Sequence, residues 1–462
     1  MKRLIVLGAG ESGCGAAILA KEKGYDVFVS DMGQIKPAYK ALLEQNDILY
    51  EEEQHSFDRL KDADEIVKSP GIPNNAPIIV QIQEYRSIFA REKQVVPVIS
   101  EIEFAARYTN AKMICITGSN GKTTTTSLIY DILRRAGLNV GLAGNIGNSL
   151  ALQVARENHD YYVIELSSFQ LDNMYDFRAD IAILLNITPD HLDRYDNKFQ
   201  NYVDAKFRIT RNQTADDAFI YWAEDPVIDR ELHRLNISAT LYPFGDDNGT
   251  NAAYMSGENI TIAAQKNLAL TVPCDTIAIK GKHNRLNSMA AGLAAQLLHI
   301  DNDIIRDSFR NFAGVPHRLQ YVATVRNVRF INDSKATNVN SCWYALEAMT
   351  TPTVLILGGK DKGNDYSEID ALVKEKCHTI VYMGLHNEKL REHFGDGKGN
   401  IGTSGFEGKI IDTDNIDDAV RLAYNAARPG NTVLLSPCCA SFDLFKSYED
   451  RGEQFMQRVR QL

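Results

Sequence analysis

The sequence predicts an α/β protein of 462 residues built from three units in series. Three observations predict it. A strand-like run, Leu4–Leu7, enters a glycine turn, Gly8-Ala-Gly10-Glu-Ser-Gly13, and then a helical pattern. The same order recurs at Met113–Ile116, Gly118-Ser-Asn-Gly121 and Ser127–Leu133. Further on, β-prone runs alternate with helical stretches and end on polar turns, as in parallel sheets whose ligands gather beyond the strand C-termini. The length agrees, at about 150 residues per domain.

The first unit is expected over residues 1–98. A helix over Ala16–Lys23 leads to a strand, Asp26–Ser30, that stops at Asp31. A second strand, Glu65–Lys68, stops at the turn cluster Ser69-Pro-Gly-Ile-Pro73. The central unit is expected over 99–314. Ser100-Glu-Ile-Glu103 reads as a capping box that opens a short helix. Strands Tyr161–Leu166 and Ile181–Asn186 follow, then a helix near Phe199–Ile209. Residues 245–280, with β-prone pieces between Gly and Asn, suggest a small antiparallel flap. His283-Asn-Arg-Leu-Asn287 opens an alanine-rich helix to about Leu298. The third unit, 315–462, holds strands at Arg329–Asn332, Thr353–Leu357, Thr379–Met383 and Thr432–Leu435.

Composition sets limits. With 44% hydrophobic residues the chain can fill real cores. A net charge of −10 argues against a nucleic-acid partner, which favours a basic face. No apolar run approaches the ~18 residues of a membrane span. The N-terminal apolar run is too short for a secretory signal and runs into a glycine turn. Seven unspaced cysteines fit reduced thiols, so a cytoplasmic protein is expected.

The strongest chemical signal is Thr117-Gly118-Ser119-Asn120-Gly121-Lys122-Thr123-Thr124. Strand, glycine turn, Lys-Thr and helix form a polyphosphate cradle. Lys122 neutralises the anion, and the Thr123 hydroxyl can hold Mg²⁺. The usual pattern has a glycine where Ile116 stands. Gly8-x-Gly10-x-x-Gly13, with Asp31 eighteen residues on, fits NAD, another nucleotide diphosphate, or a plain tight turn. The P-loop shifts the balance toward a nucleotide-tagged substrate, because ATP already has a site.

Glu165 ends a strand, where it would ligate Mg²⁺ directly or through water, or simply cap a loop. Asp190 and His191 end the next strand and join Lys122, Thr123 and Glu165 by strand order. His191 reads as metal- or substrate-binding, against a structural alternative. Lys206 reads as a solvated helix lysine unless it contacts phosphate or loses its charge. In the third unit, Asn332-Asp333-Ser-Lys335, Leu357-Gly-Gly-Lys-Asp-Lys362 and Leu435-Ser-Pro-Cys-Cys-Ala-Ser441 mark three strand ends, and together they suggest a working face.

Taken together, Thr117–Thr123, Glu165, Asn186-x-x-x-Asp190-His191, Lys206, His283-Asn-x-x-Asn287, His317-Arg318 and Asp333-Ser-Lys-Ala-Thr337 resemble the Mur ligases. These are ATP-dependent amide ligases that build the peptide of the bacterial cell wall. The motifs span all three units in order. Gly8–Gly13, Ser69-Pro-Gly-Ile72 and Ser436–Ser441 with Arg451-Gly452 resemble the branch that adds D-glutamate.

The resemblance implies a Rossmann-like first domain, a P-loop ATPase middle domain and a Rossmann-like third domain. It implies D-glutamate addition to UDP-N-acetylmuramoyl-L-alanine through an acyl phosphate, with ADP and phosphate released. Ser12, Asp31, Gly71, Asn145 and His191 would hold the UDP substrate. Gly118 to Thr124, Asn287, Arg318 and Asp333 would hold ATP. Thr123 and Glu165 would bind Mg²⁺, and His191 with a carbamylated Lys206 a second one. Lys335, Thr337, Lys362, Ser441 and Tyr448 would form the D-glutamate pocket. Lys122, His191, Lys206 and Arg318 would carry the catalysis. Tyr448 stands where Phe is expected, and Cys438-Cys439 replaces Ala-Cys. A monomer is expected. The nearest alternative is a folylpolyglutamate synthase-like ligase or another Mur step; an NAD-dependent oxidoreductase lacks a visible hydride-transfer site.

Overall fold

The computed structural model describes residues 1–89, 95–247, 249–264, 269–361 and 363–462. Strands β1 (Arg3–Leu7), β2 (Asp26–Ser30), β3 (Leu49–Glu51), β4 (Glu65–Lys68) and β5 (Val98–Ile99) form a parallel sheet in the order β3-β2-β1-β4-β5. Side chains alternate between its faces. Leu4, Val6, Val27 and Val29 enter one core; Ile5, Leu7, Phe28 and Ile66 enter another.

The central sheet contains β6 (Lys112–Thr117), β7 (Val140–Gly144), β8 (Tyr161–Glu165), β9 (Ile181–Leu184), β10 (Ala218–Trp222), β11 (Thr240–Asp246), β12 (Ala253–Ser256), β13 (Asn259–Ile262) and β14 (Leu270–Pro273). Their order is β14-β13-β12-β11-β10-β9-β6-β8-β7. The expected antiparallel flap is real but not separate. β12, β13 and β14 pair antiparallel, while β12 joins β11 in parallel and so extends the sheet. Glu165 ends the neighbour of β6 in space; in chain order β7 comes between them.

The first two sheets belong to one compact unit, Met1–Ile277 with Leu286–Phe312. Helix Glu11–Glu22, placed by its turn five residues earlier than the sequence suggests, packs on helix Leu150–Arg156. Gly15 permits the approach: a Cβ there would lie 1.9 Å from Ser149 Oγ. Ser149 also donates to Glu101 Oε1 (2.7 Å), which accepts from the Ala151 N–H as well. Glu101 Oε2 is buried without a partner, and burial raises this carboxyl to about 7. The expected capping box is half present. Ser100 caps the Glu103 N–H, but the Glu103 carboxylate turns to the N–H groups of Tyr175, Asp176 and Phe177.

The second compact unit is Ala278–Arg285 with Ala313–Leu462. It holds β15 (Gln320–Val325), β16 (Val328–Asn332), β17 (Thr353–Leu357), β18 (Cys377–Met383), β19 (Lys409–Thr413) and β20 (Thr432–Leu435). The order is β15-β16-β20-β17-β18-β19, parallel except for β15 on β16. Among the described residues no helix is long and apolar enough to cross a membrane.

Candidate active site

The glycine loop after β6 is shaped by two positive φ angles, 147° at Gly118 and 86° at Gly121. Gly121 also sits under a side chain: a Cβ there would lie 2.4 Å from Asn287 Oδ1. The N-cap of helix Lys122–Arg135 is Gly121, which has no side chain of its own to cap it, and this N-terminus is the anion-attracting end. Lys122 Nζ donates to the carbonyls of Gly118 (2.7 Å) and Ser119 (2.9 Å). Thr123 is buried in the first turn, and the buried Thr124 hydroxyl has no hydrogen-bond partner.

The segment after β9 clamps this loop, a part sequence reasoning missed. Asn186 Oδ1 accepts from the Asn120 N–H (2.8 Å), and its Nδ2 donates to the Asn120 carbonyl (3.0 Å). The Ser119 N–H donates to the Asn186 carbonyl. Ser119 Oγ donates to the Thr188 carbonyl, accepts from the Thr188 N–H, and meets Tyr202 Oη at 3.0 Å. The signal was present in the sequence, since Asn186 and Thr188 both lie in the strand-end motif of His191.

Lys206 overturns the reading of a solvated helix lysine. It is 1% exposed and donates to the Gly118 carbonyl at 2.8 Å, beside the Lys122 contact. Its ammonium lies 4.6 Å from the centre of the Tyr202 ring. Burial, and then the charge of Lys122, hold its pKa well below the ordinary lysine value. That shift favours the uncharged form of the amine, which is its nucleophilic form.

Glu165 is 2% exposed at the end of β8. Asn145 Nδ2 donates to its Oε1 (2.9 Å), while Oε2 is buried without a partner. His191 adopts a left-handed backbone (φ 52°). Its Nε2 lies 3.7 Å from Asp190, and its ring packs edge-on against Phe169. Among the described residues no three His, Cys, Asp or Glu side chains converge as a ready metal cage. The Thr123 hydroxyl and the orphaned Glu165 oxygen nevertheless fit a hard cation whose remaining ligands are phosphate oxygens and water.

The first sheet carries its own turn cluster. Asp31 Oδ2 accepts from the Ala9 N–H (2.6 Å) and Oδ1 from the Gly33 N–H (2.8 Å). A Cβ at Gly8 would lie 2.4 Å from Ser69 Oγ, so the Ser69–Ile72 turn, with Gly71, sits against the Gly8 turn. Ser12 lies in the first turn of helix Glu11–Glu22.

In the second unit the three strand-end turns meet, because β16, β20 and β17 are neighbours. Lys360 and Ala440 exchange backbone hydrogen bonds, and the Gly358 N–H donates to the Pro437 carbonyl. The fully buried Arg451 ties Ser334 to the Cys439 carbonyl. Asp333 is 2% exposed and accepts from the Leu319 N–H and Ser436 Oγ. Burial raises it to about 6, against the opposing pull of Arg318. The Arg318 Nε is buried without a partner. Lys335 Nζ reaches Tyr448 Oη at 3.3 Å and lies 5.2 Å from that ring's centre. The Thr337 N–H donates to the Lys335 carbonyl, and Ser441 is buried at the third turn. Lys362 lies outside the described residues.

Comparisons with known proteins agree along the whole chain. Residues 3–78 match the family model of the MurD N-terminal domain. Residues 116–295 match the Mur ligase middle domain, and 317–439 the Mur ligase glutamate ligase domain. A UDP-N-acetylmuramoylalanine–D-glutamate ligase of Bacteroides fragilis is 61% identical, with 100% of each chain covered. A protein of the same name from Porphyromonas gingivalis is 53% identical over 99% of this chain and 98% of its own. The solved UDP-N-acetylmuramate–alanine ligase of Thermotoga maritima shares the fold at a TM-score of 0.62 and 17% identity, with 100% of each chain covered. With all three domains matched in order and relatives more than half identical throughout, this protein belongs to the Mur ligase family.

Proposed function

We propose that this chain is the ATP-dependent ligase that adds D-glutamate to UDP-N-acetylmuramoyl-L-alanine in peptidoglycan precursor synthesis. The observation that carries it is the full-length match to relatives bearing that activity in their names. The P-loop geometry supports the ATP step. The working division is residues 1–98 for the UDP substrate, 99–314 for ATP and 315–462 for the amino acid.

The chemistry follows from the poor electrophilicity of a carboxylate. Transfer of the ATP γ-phosphoryl to the alanyl carboxylate gives an acyl phosphate. The D-glutamate amine attacks its carbonyl carbon, a proton leaves nitrogen, and the tetrahedral intermediate expels inorganic phosphate as the amide forms. Lys122, the helix N-terminus and Arg318 would offset the charge of the transferred group. Asn287 and Asp333 would orient the nucleotide. Thr123 and Glu165 would hold Mg²⁺, and His191 with a carbamate on Lys206 a second ion; when bound, these ions would neutralise phosphate charge. The neutral Lys206 amine would attack carbon dioxide and release one proton, leaving an anionic carbamate as the oxygen donor. Ser12, Asp31, Gly71 and Asn145 would seat the UDP substrate. Lys335, Thr337, Lys362, Ser441 and Tyr448 would seat D-glutamate.

The test is phosphate release from Mg-ATP with UDP-N-acetylmuramoyl-L-alanine, scanned over amino acids, with mass spectrometry of the product. Release and an amide with D-glutamate alone support the proposal. Another amino acid would move the chain to a different ligation step. No release with any acceptor would favour the folate-type ligase.

A further inference from the structure

Arg194 sits where three segments meet, and no step above uses it. It lies in the short turn Leu192–Tyr195, three residues after His191, and its N–H donates to the His191 carbonyl at 3.0 Å. Its guanidinium spans to the first sheet: Nη1 donates to the Gly71 carbonyl (3.1 Å) and Nη2 to the Pro70 carbonyl (3.3 Å). It also lies 4.4 Å from the centre of the Phe169 ring. The same ring meets His191 edge-on at 5.2 Å and stacks on Tyr195 at 6.0 Å. Phe169 belongs to helix Ser168–Leu171, held by a full Ser167–Gln170 capping box just past Glu165. From the other side, Lys68 Nζ donates to the Ile72 carbonyl at 2.8 Å. The Asp172 carboxylate accepts from Tyr195 Oη at 2.9 Å and carries the charge that faces Lys68, Arg194 and Arg208.

We propose that Arg194 is a positioning residue that couples the Pro70–Gly71 turn of the first sheet to the His191 turn and the Glu165 segment of the central sheet. The proposal rests on the ligase reading given above. A planar guanidinium can hold two successive carbonyls while its face stacks on an aromatic ring; an ammonium holds one point. Occupation of the Gly71 turn by the UDP substrate is therefore transmitted to His191 through the Arg194 guanidinium, the Phe169 ring on which both pack, and the Arg194 backbone N–H. By linkage, a nucleotide bound at the P-loop then tightens the UDP substrate, and the reverse holds equally.

The test compares wild type, Arg194→Ala and Arg194→Lys. Loss of two charge-assisted hydrogen bonds corresponds to about 10- to 100-fold. Arg194→Ala should raise KM for UDP-N-acetylmuramoyl-L-alanine by that amount and lower kcat. The Kd for ATP alone should stay within about twofold. A non-hydrolysable ATP analogue should tighten the UDP substrate in wild type and fail to do so in Arg194→Ala. Arg194→Lys should recover part of the loss. Unchanged KM and intact coupling in Arg194→Ala would overturn the proposal, as would an equal loss of ATP binding. Hydrogen exchange separates this outcome from failure of the ligase reading. Should wild type not turn the substrate over, faster exchange at 69–72 and 192–195 in both variants still supports the tie, and unchanged exchange overturns it.

Discussion

Asn186 holds the N–H and the carbonyl of Asn120 with one side chain, so the curvature of the phosphate loop depends on a group that donates and accepts at once. Asn186→Ala strips both partners, and each backbone group left unsatisfied costs about 1–3 kcal/mol. The expected result is a KM for ATP raised about 10- to 100-fold with UDP-substrate affinity unchanged, read by phosphate release and calorimetry. Lys122→Ala should abolish turnover, again without changing calorimetric binding of the UDP substrate, since the Lys122 ammonium is held in the phosphate loop by the Gly118 and Ser119 carbonyls. The lysine was legible from sequence because its chemistry is tied to local spacing. The asparagine was visible as part of the His191 motif, but its role was not: its partner lies 66 residues away, and only the adjacency of β6 and β9 brings them together. For Lys206 the residue alone left a solvated helix lysine as the default, since helix position cannot say which face a sheet will cover; only the family resemblance pointed to the site.

At the scale of elements, the contact between helices Glu11–Glu22 and Leu150–Arg156 carries a pH signature. Glu101, beside it, has a folded pKa of about 7 against an ordinary 4.5. A raised value means a contribution to stability fully present below 4.5 and lost as pH rises through 7. Glu101→Gln removes that dependence. The variant should melt higher than wild type at pH 8, by about 1–3 kcal/mol of stability, with the gap closing toward pH 4.5. Thermal scans across this range decide it. Strands with apolar runs, such as β1, β6 and β17, were readable because both faces are buried. Strands β3, β7, β10, β11, β15 and β19 were not singled out. Leu49 and Leu241 are exposed, and β7 reads Val-Gly-Leu-Ala-Gly, so neither composition nor alternation marks β3, β7 or β11; β10, Ala-Phe-Ile-Tyr-Trp, is β-prone and was overlooked. The hairpins β12–β14 were visible as β-prone pieces, but their addition to β11 is a long-range pairing without a local signature.

The whole molecule divides near Phe312 in the sense that residues up to it, apart from Ala278–Arg285, form one compact unit. A fragment of residues 1–312 should therefore melt cooperatively and bind the UDP substrate. It should release no phosphate, because Arg318 and Asp333 lie beyond it. Circular dichroism and calorimetry test the two halves of this statement. A fragment without a cooperative melt would show that the second unit is needed for folding.

Helix Glu11–Glu22 has a consequence for synthesis. It buries residues 13–20 without a break, partly against its own sheet and partly against helix Leu150–Arg156. The ribosome delivers the last strand of the first sheet at Ile99, but the covering helix begins only at Leu150. During the intervening fifty or so residues, about 3–10 s of translation at ordinary rates, the nascent chain carries an almost finished sheet with an uncovered apolar helix face. That interval is the window in which a holdase would bind this chain.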